Sequence, residues 1–449
     1  MRDITVTIIA TVTIITTVTI ITVMQPFADI RVIDLTHVIA GPFCAYQLAA
    51  LGADVIKVEP PTRPDMSRAS GAGATCATGM ASDFTAQNAN KRAVCIDIKS
   101  SAGAAVLRRL IATADVLVEN YRAGALTELG FGYDAVKRMR ADIIYCSLTG
   151  FGQTGALASR TAYDNVIQAY SGLMAATGDA DAPVKVGPPV LDYGSGIQAA
   201  FAIAAALYQR AHTGRGQSID VSMLDAAVVM MASHATHLRT AGQPPPNTGN
   251  AHASNAGYAC YATASGRLML GAYTGRQARD MWTVLGDAKY GDSLVDLTPA
   301  ELGANFERDR ARIAEILLTQ SAAHWEEAFN RHHVPAARVR ELDEALAEGQ
   351  CRALRRVGDG DGDGDGVGDG VGAGANDGGS HCDSVTVTPQ LPLAAFQFAE
   401  PGSGPALHRP PPAFAQHTAE VLREVGYDDA ELARLHNTGA IKLATEEAA

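Results

Sequence analysis

The chain has no CxxC pair, and its seven cysteines, at positions 44, 76, 95, 146, 260, 351 and 382, are scattered and odd in number. That excludes a disulfide framework and a zinc ligand set, and points to reduced thiols in a cytoplasmic protein. Cys95 and Cys146 lie in apolar strand-like runs and read as buried thiols. Basic residues are in deficit too. With 36 Lys and Arg against 48 Asp and Glu, the formal net charge is −12, so the basic face that general nucleic-acid binding needs is missing. No G-x-G-x-x-G follows the first strand-like run, and the usual dinucleotide fingerprint is therefore absent. Charged residues make up 19% and hydrophobic residues 47% of the chain. This is the composition of a soluble globular enzyme, and 449 residues suffice for two or three domains.

Two segments stand apart. Ile4 to Met24 is an uncharged run of 21 residues, long enough to span a bilayer, but eight of them are Thr. Thr-Val-Thr-Ile-Ile repeats favour β structure and are less hydrophobic than a Leu-rich span. Arg2 is offset by Asp3 and no small-residue cleavage site follows, which argues against a secretory signal. Residues 1–26 read as an extension outside the fold, with Met24 near the natural start and membrane attachment disfavoured. Val357 to Ser380 is an Asp/Gly-rich low-complexity insertion, and six Asp between Asp359 and Asp377 carry much of the net acidity. Asp361, Asp363, Asp365 and Gly366 mimic a calcium loop, yet Gly372 stands where the closing Glu belongs. A solvated surface loop is the better reading, and no metal site is expected.

What is present is a βαβ pattern. RVIDLTHVIAGPFCAYQLAALGADVIKVE, from Arg31 to Glu59, reads as strand, turn, apolar helix and parallel strand. The turn at Ala40-Gly41-Pro42 leaves helix-start N–H groups free beyond the first strand, where anions settle. Strands at Ala93–Ile98, Val116–Glu119 and Ile143–Leu148 alternate with helices at Ser101–Ala112 and Tyr133–Met139. This predicts an open parallel sheet covered on both faces. A long Ala-rich helix from Tyr193 to His212 and a strand at Gln217–Met223 follow. A Pro/Asn/Gly/His-rich loop and a hairpin (Tyr258–Thr263, Arg267–Tyr273) open a smaller unit with helices around Gln277–Leu285, Asn305–Leu318 and Ala322–Arg331. An amphipathic tail from Gln416 to Leu435 breaks at Gly426. The expected plan is α/β: a Rossmann-like large domain (27–225), a smaller α+β domain (226–340), and a return segment (341–449) carrying the insertion at 357–380.

Three constellations carry chemistry. Lys91-Arg92, Ile96-Asp97-Ile98-Lys99 and Asn120-Tyr121-Arg122 fall at strand ends, where ligands bind α/β sheets. Their cations suit phosphates, and Tyr121 or Arg122 suits stacking on a base; solvated surface charge is the alternative. In VGPPVLDYGSG an apolar run ends at Asp192, just before Gly194, Gly196 and a helix. Asp192 is either a helix cap or a nucleophile, and the glycines permit close approach of a ligand. Tyr163-Asp164 precedes another helix, where Asp164 suits a cap and Tyr163 a site lining.

These motifs resemble the class III CoA-transferase family, also called CaiB/BaiF, which contains formyl-CoA:oxalate CoA-transferase. The resemblance runs in order through LTHVIAGPFCAYQLAALGADVIKVEPP, NANKRAVCIDIKS, ADVLVENYRAGALTELGFGYD, SLTGFGQTG, YDNVIQAYSGLMAATG, VGPPVLDYGSGIQAAFAIAAAL and HTGRGQSIDVSMLDA. It implies that Asp192 is the catalytic aspartate and that the Ile39 and Ala40 backbone contacts CoA. It further implies that 96–99 and 120–122 hold the nucleotide and pantetheine, and that two chains interlock as a homodimer. His37, Tyr163, Asp164, Gly194 and Gly196 are expected to line the substrate. CoA and acyl-CoA would be substrates, with no tightly bound cofactor. Three departures stand out: Glu128 where a basic residue is common, Ala415 where a Gly precedes His-Thr, and no clear counterpart in Pro246–Gly257 of the Gly-rich loop of formyl-CoA transferase.

On this reading an ionised Asp192 attacks a thioester, with N–H groups near Gly194 and Gly196 facing the oxyanion. The rivals are a racemase like those of α-methylacyl-CoA and a membrane-tethered CoA-binding protein. The racemases carry His where this chain has Tyr163, and a tyrosine phenol is a poor base at pH 7. Because neither outlying segment supplies a core pattern, deleting residues 1–23 or shortening Asp359–Asp377 should leave folding and activity nearly intact. Calcium-dependent activity, or insolubility on the N-terminal deletion, would contradict this.

Overall fold

The computed structural model describes residues 24–73, 80–179, 181–358 and 390–444. Residues 1–23 and 359–380 lie outside these residues, so the expectations made for them are not addressed by the structure; the expected boundary after residue 26 is corrected, because Gln25 belongs to the fold and donates to the carbonyls of Ala50 at 3.0 Å and Gly404 at 2.8 Å.

Apolar β-branched runs bounded by turn residues give β1 (Arg31–Asp34), β2 (Asp54–Glu59), β3 (Arg92–Ile96), β4 (Val116–Glu119), β5 (Ile144–Thr149) and β6 (Ser218–Ser222). All six run parallel, in the spatial order β3-β2-β1-β4-β5-β6. This is the doubly wound order, whose switch point falls between β1 and β4. A short β10 (Ile441–Lys442) adds antiparallel to β3 and brings the C-terminal segment back to the sheet. The fold is thus mixed α/β with a large, mostly parallel sheet.

The helices that cover the sheet follow the same logic. On one face α1 (Ala40–Ala50) and the 24-residue α5 (Val190–Thr213) pack on Val32, Val55, Val116, Val118, Ile144 and Cys146. The other face carries α2 (Ser101–Ala112), α3 (Tyr133–Met139) and the tail helices α11 (Thr418–Glu424) and α12 (Asp429–Asn437) on Ile33, Ile56, Leu117 and Tyr145. The break between the tail helices falls at Gly426, whose φ is +88°. A separate core gathers Leu268, Leu270, Trp282, Ile313, Trp325 and Phe329 around an antiparallel sheet. Its strands are β7 (Cys260–Ala262), β8 (Arg267–Leu270) and β9 (Ala336–Arg338), and it packs with α8 (Gly275–Val284), α9 (Phe306–Leu317) and α10 (Ala322–Arg331). The helix expected after Tyr163-Asp164 is α4 (Asp164–Ser171), whereas sequence periodicity did not resolve α6 (Met223–Met230) or α7 (Ala232–Ala241). No residue of α7 is buried, so there is no apolar stripe to read.

One contact fixes how α1 and α5 meet. A Cβ at Gly196 would lie 2.7 Å from the Ala40 carbonyl oxygen and 3.2 Å from the Phe43 ring. Only the missing side chain lets α5 settle beside the first turn of α1. Gly196→Val should therefore destabilise the fold by about 1–3 kcal/mol and lower activity through displacement of α5. A thermal melt within a degree of wild type would refute this packing role.

Candidate active site

Beyond the C-terminal ends of β1 and β4, at the switch point, Asn120 clasps the backbone of His37. Its Oδ1 accepts the His37 N–H at 2.9 Å and its Nδ2 donates to the His37 carbonyl at 2.7 Å. Tyr121 OH lies 3.3 Å from His37 Nε2, with the two rings edge-to-face at 5.5 Å. Burial lowers the His37 pKa, which keeps the imidazole neutral. Tyr121 is thus engaged with His37, and Glu119 anchors it by accepting its backbone N–H at 2.8 Å.

The loop from β1 to α1 is gripped from below. Lys57 donates to the Thr36 carbonyl at 2.9 Å and to Asp65 at 2.8 Å, while Asp65 accepts the Val38 N–H at 3.1 Å. Gln87 donates to the Val38 carbonyl at 3.0 Å. Val38 is held at φ +70°, a left-handed conformation costly for a β-branched residue and typical of sites that hold ligands. After Ile39 comes α1, with no acidic residue in its first turn. The N–H groups of Ala40 and Gly41 have no partner among the described residues, as the sequence led us to expect.

Lys91 and Arg92 need correction as phosphate ligands. Lys91 is fully buried and donates to Asp34 at 2.9 Å, the Pro42 carbonyl at 2.8 Å and Asn88 at 2.8 Å. Its burial lowers the ammonium to about pKa 8, partly offset by Asp34. All its donors are used inside the fold. Arg92 begins β3, at the end of the sheet away from the switch-point loops, and binds Asp54, Glu420 and Glu424. It ties the tail to the sheet. Ile96 and Ile98 are core side chains, so only their backbone is open to a ligand. Asp97 accepts the Lys99 N–H and shapes the entry to α2. The exposed cations of these segments are Lys99 and Arg122, and Arg122 pairs at 2.6 Å with Glu128.

The second half of the site is the start of α5. The helix begins at Val190, not after Asp192 as expected, so Asp192 sits in its first turn. Capping falls to Asp164 on α4. Its Oδ2 accepts the N–H groups of Leu191 at 2.7 Å and of Asp192 at 3.1 Å. Asp164 does not cap its own helix, contrary to the sequence reading. The Asp192 carboxylate accepts no hydrogen bond from the described residues. Burial first, and the Asp164 charge second, raise its pKa to about 7. The expected ordinary, fully ionised aspartate is corrected accordingly. Asp192 precedes Gly196 by four residues and therefore shares the helix face that meets α1. This places Asp192 on the side of α5 that faces the start of α1.

Gly194 and Gly196 lie inside the helix, where their N–H groups join the helical ladder, so they are not the oxyanion donors expected. Their role is clearance: a Cβ at Gly194 would meet Met230 Sδ at 2.6 Å. Tyr163 sits just before α4 and is 63% exposed. Among the described residues no cluster of His, Cys, Asp and Glu forms a metal site.

The fold is a doubly wound α/β sheet with an open loop at its switch point and, at the start of α5, an aspartate whose carboxylate has no hydrogen-bond partner among the described residues. Residues 27–371 match the CoA-transferase family III model. The chain is 36% identical to succinate–glutarate CoA-transferase of Agrobacterium fabrum over 333 residues, covering 73% of this chain and 83% of that one. It is 31% identical to mouse succinyl-CoA:glutarate CoA-transferase, covering 93% and 91%. A CaiB/BaiF family protein from Brucella suis superposes with a TM-score of 0.74 at 28% identity, covering 90% and 100%. The protein belongs to CoA-transferase family III, the class III or CaiB/BaiF enzymes.

The raised Asp192 pKa has a stability consequence. Between the unfolded value near 3.8 and about 7, the folded chain holds a proton that the unfolded chain has lost. Stability contributed by this residue therefore falls as pH rises through that window and is flat above it. Asp192→Asn should match wild type near pH 4 and be more stable at pH 8, by at most about 4 kcal/mol. Denaturant melts at the two pH values measure this; an equal difference at both would disprove the shift.

Proposed function

We propose that the protein moves CoA from an acyl-CoA thioester to a small carboxylic acid, with Asp192 as nucleophile. The observation that carries this reading is that Asp164 caps α5, leaving the Asp192 carboxylate in the cleft with no structural partner. Asp192 attacks the thioester carbonyl, the C–S bond breaks, and an aspartyl mixed anhydride forms with CoA thiolate. The thiolate attacks the aspartyl carbonyl, releasing the donor acid and leaving an aspartyl-CoA thioester. The acceptor carboxylate then attacks that carbonyl and expels the thiolate, which attacks the acceptor's acyl carbon and frees Asp192. A pKa near the working pH suits a group that must serve both as attacking carboxylate and as leaving group.

The free Ala40 and Gly41 N–H groups beside the Asp192 face are the donors best placed for the oxyanion. Lys99 and Arg122 stand at the rim for the CoA phosphates. The relatives act on succinate, glutarate and mesaconate, so a small dicarboxylic acid is the acceptor class to test first. A homodimer is supported by Ile197, Phe201 and Tyr208, which leave one face of α5 apolar and exposed. The described cysteines are all free, which supports a reducing, cytoplasmic setting. The racemase reading fares worse, because Tyr163 offers an exposed phenol where a base is required.

Incubation with succinyl-CoA and a panel of mono- and dicarboxylic acids, read by mass, should give new acyl-CoAs. Asp192→Asn should fold, bind CoA and lose transfer by several orders of magnitude, and hydroxylamine should trap an adduct at residue 192 of the wild type. Tyr163→Phe should change the rate little. Near-normal exchange by Asp192→Asn would overturn the reading.

A further inference from the structure

We infer that Asp164 is a positioning residue for CoA transfer: it takes the cap of α5 away from Asp192, and its charge governs when Asp192 becomes a nucleophile. The inference rests on the reading of Asp192 as nucleophile. Asp164 opens α4 and is 4% exposed, yet its carboxylate reaches across to the backbone 27 and 28 residues further on. Its other oxygen accepts the amide of Gln168, which is fully buried. The Gln168 carbonyl in turn accepts the Val186 N–H at 2.8 Å. This bonding sets the orientation of the amide. A carboxylate has no proton to give, so Gln168 turns its NH2 toward Asp164 and its oxygen toward the segment that leads into α5.

A helix start favours a negative charge, and here that place is taken by Asp164. Asp192 sits within the same turn and meets a like charge where a lone carboxylate would meet N–H groups. Other elements bring no charge to bear. From α1, Ala40 and Phe43 face the early turns of α5; from α6, Met230 does; on α5 itself the neighbour is Tyr193. Among the described residues Asp164 is the one charged group acting on Asp192, in addition to burial, and the raised Asp192 pKa agrees with that geometry. A simple cap would hold α5 in place and leave the ionisation of Asp192 alone.

The test separates these roles. Asp164→Asn keeps an oxygen for the Leu191 and Asp192 N–H groups but sets NH2 against the NH2 of Gln168. The single variant should therefore lose stability as well as charge. Adding Gln168→Glu restores donor-to-acceptor pairing and moves the charge away from the start of α5. The acid limb of kcat/KM, and the carbon-13 titration of the Asp192 carboxyl in the free enzyme, should both move down by roughly one unit in Asp164→Asn. In the double variant Tm should recover toward wild type while both titrations stay below it. Titrations unmoved in both variants, with only Tm and rate changed, would reduce Asp164 to a cap and overturn the inference. Transfer surviving in Asp192→Asn would instead remove the nucleophile reading, which is a separate failure.

Discussion

Six charges meet beneath the loop between β1 and α1, and almost no water reaches them. Asp34, Glu59 and Asp65 balance Lys57, Arg68 and Lys91, and none is more than 4% exposed. A buried ion left alone would be far too costly, so the set is tolerable only because it is neutral and each charge is paired. In return it holds the loop at three heights: Lys57 on the Thr36 carbonyl, Asp65 on the Val38 N–H, and Lys91 on the Pro42 carbonyl. The left-handed Val38 persists because its neighbours over-determine it. With the loop fixed, the first turn of α1 is fixed, and the Gly196 contact passes that position to α5 and Asp192.

At the far end of this chain of contacts, two aspartates share one helix start and have opposite tasks. The Asp164 carboxylate accepts three hydrogen bonds, whereas the Asp192 carboxylate accepts none from the described residues and is only partly shielded from solvent. On the proposed reading, environment separates two chemically identical groups into a structural carboxylate and a reactive one, a general device of carboxylate enzymes. On the same reading, a position inside a helix would suit a nucleophile that passes through two acyl intermediates, because helical hydrogen bonding holds its backbone.

The sheet was legible in the sequence because its strands are short apolar runs punctuated by turns and joined by amphipathic helices. β2, α2, β4, α3 and α10 begin and end where the pattern says. Motif order singled out Asp192, His37 and Asn120, and the structure puts His37 and Asn120 together at the switch point. The Asp164 cap was not legible, because the hydrogen bond joins residues 27 apart and leaves no local spacing signal. The misreading of Lys91 and Arg92 has a similar cause: a cation at the start of a strand reads the same whether it faces solvent or a carboxylate. One clue was available. Lys57 and Glu59 interrupt an apolar buried strand, and charges in such a place call for buried partners.

Where the charges ended up also bears on how CoA is held. Lys91 and Arg92 are consumed by structure, which leaves Lys99 and Arg122 as the exposed cations of these segments, and Arg122 is shared with Glu128. Exposed pairs of this kind contribute little each and weaken as salt rises. A nucleotide held mainly by such cations can leave after each turnover, whereas one clamped by Lys91 and Arg92 would not. The burial of those two side chains thus fits a protein that handles CoA as a substrate exchanged between acids. On the proposed reading, the firm contacts would come from the backbone around His37 and Ala40.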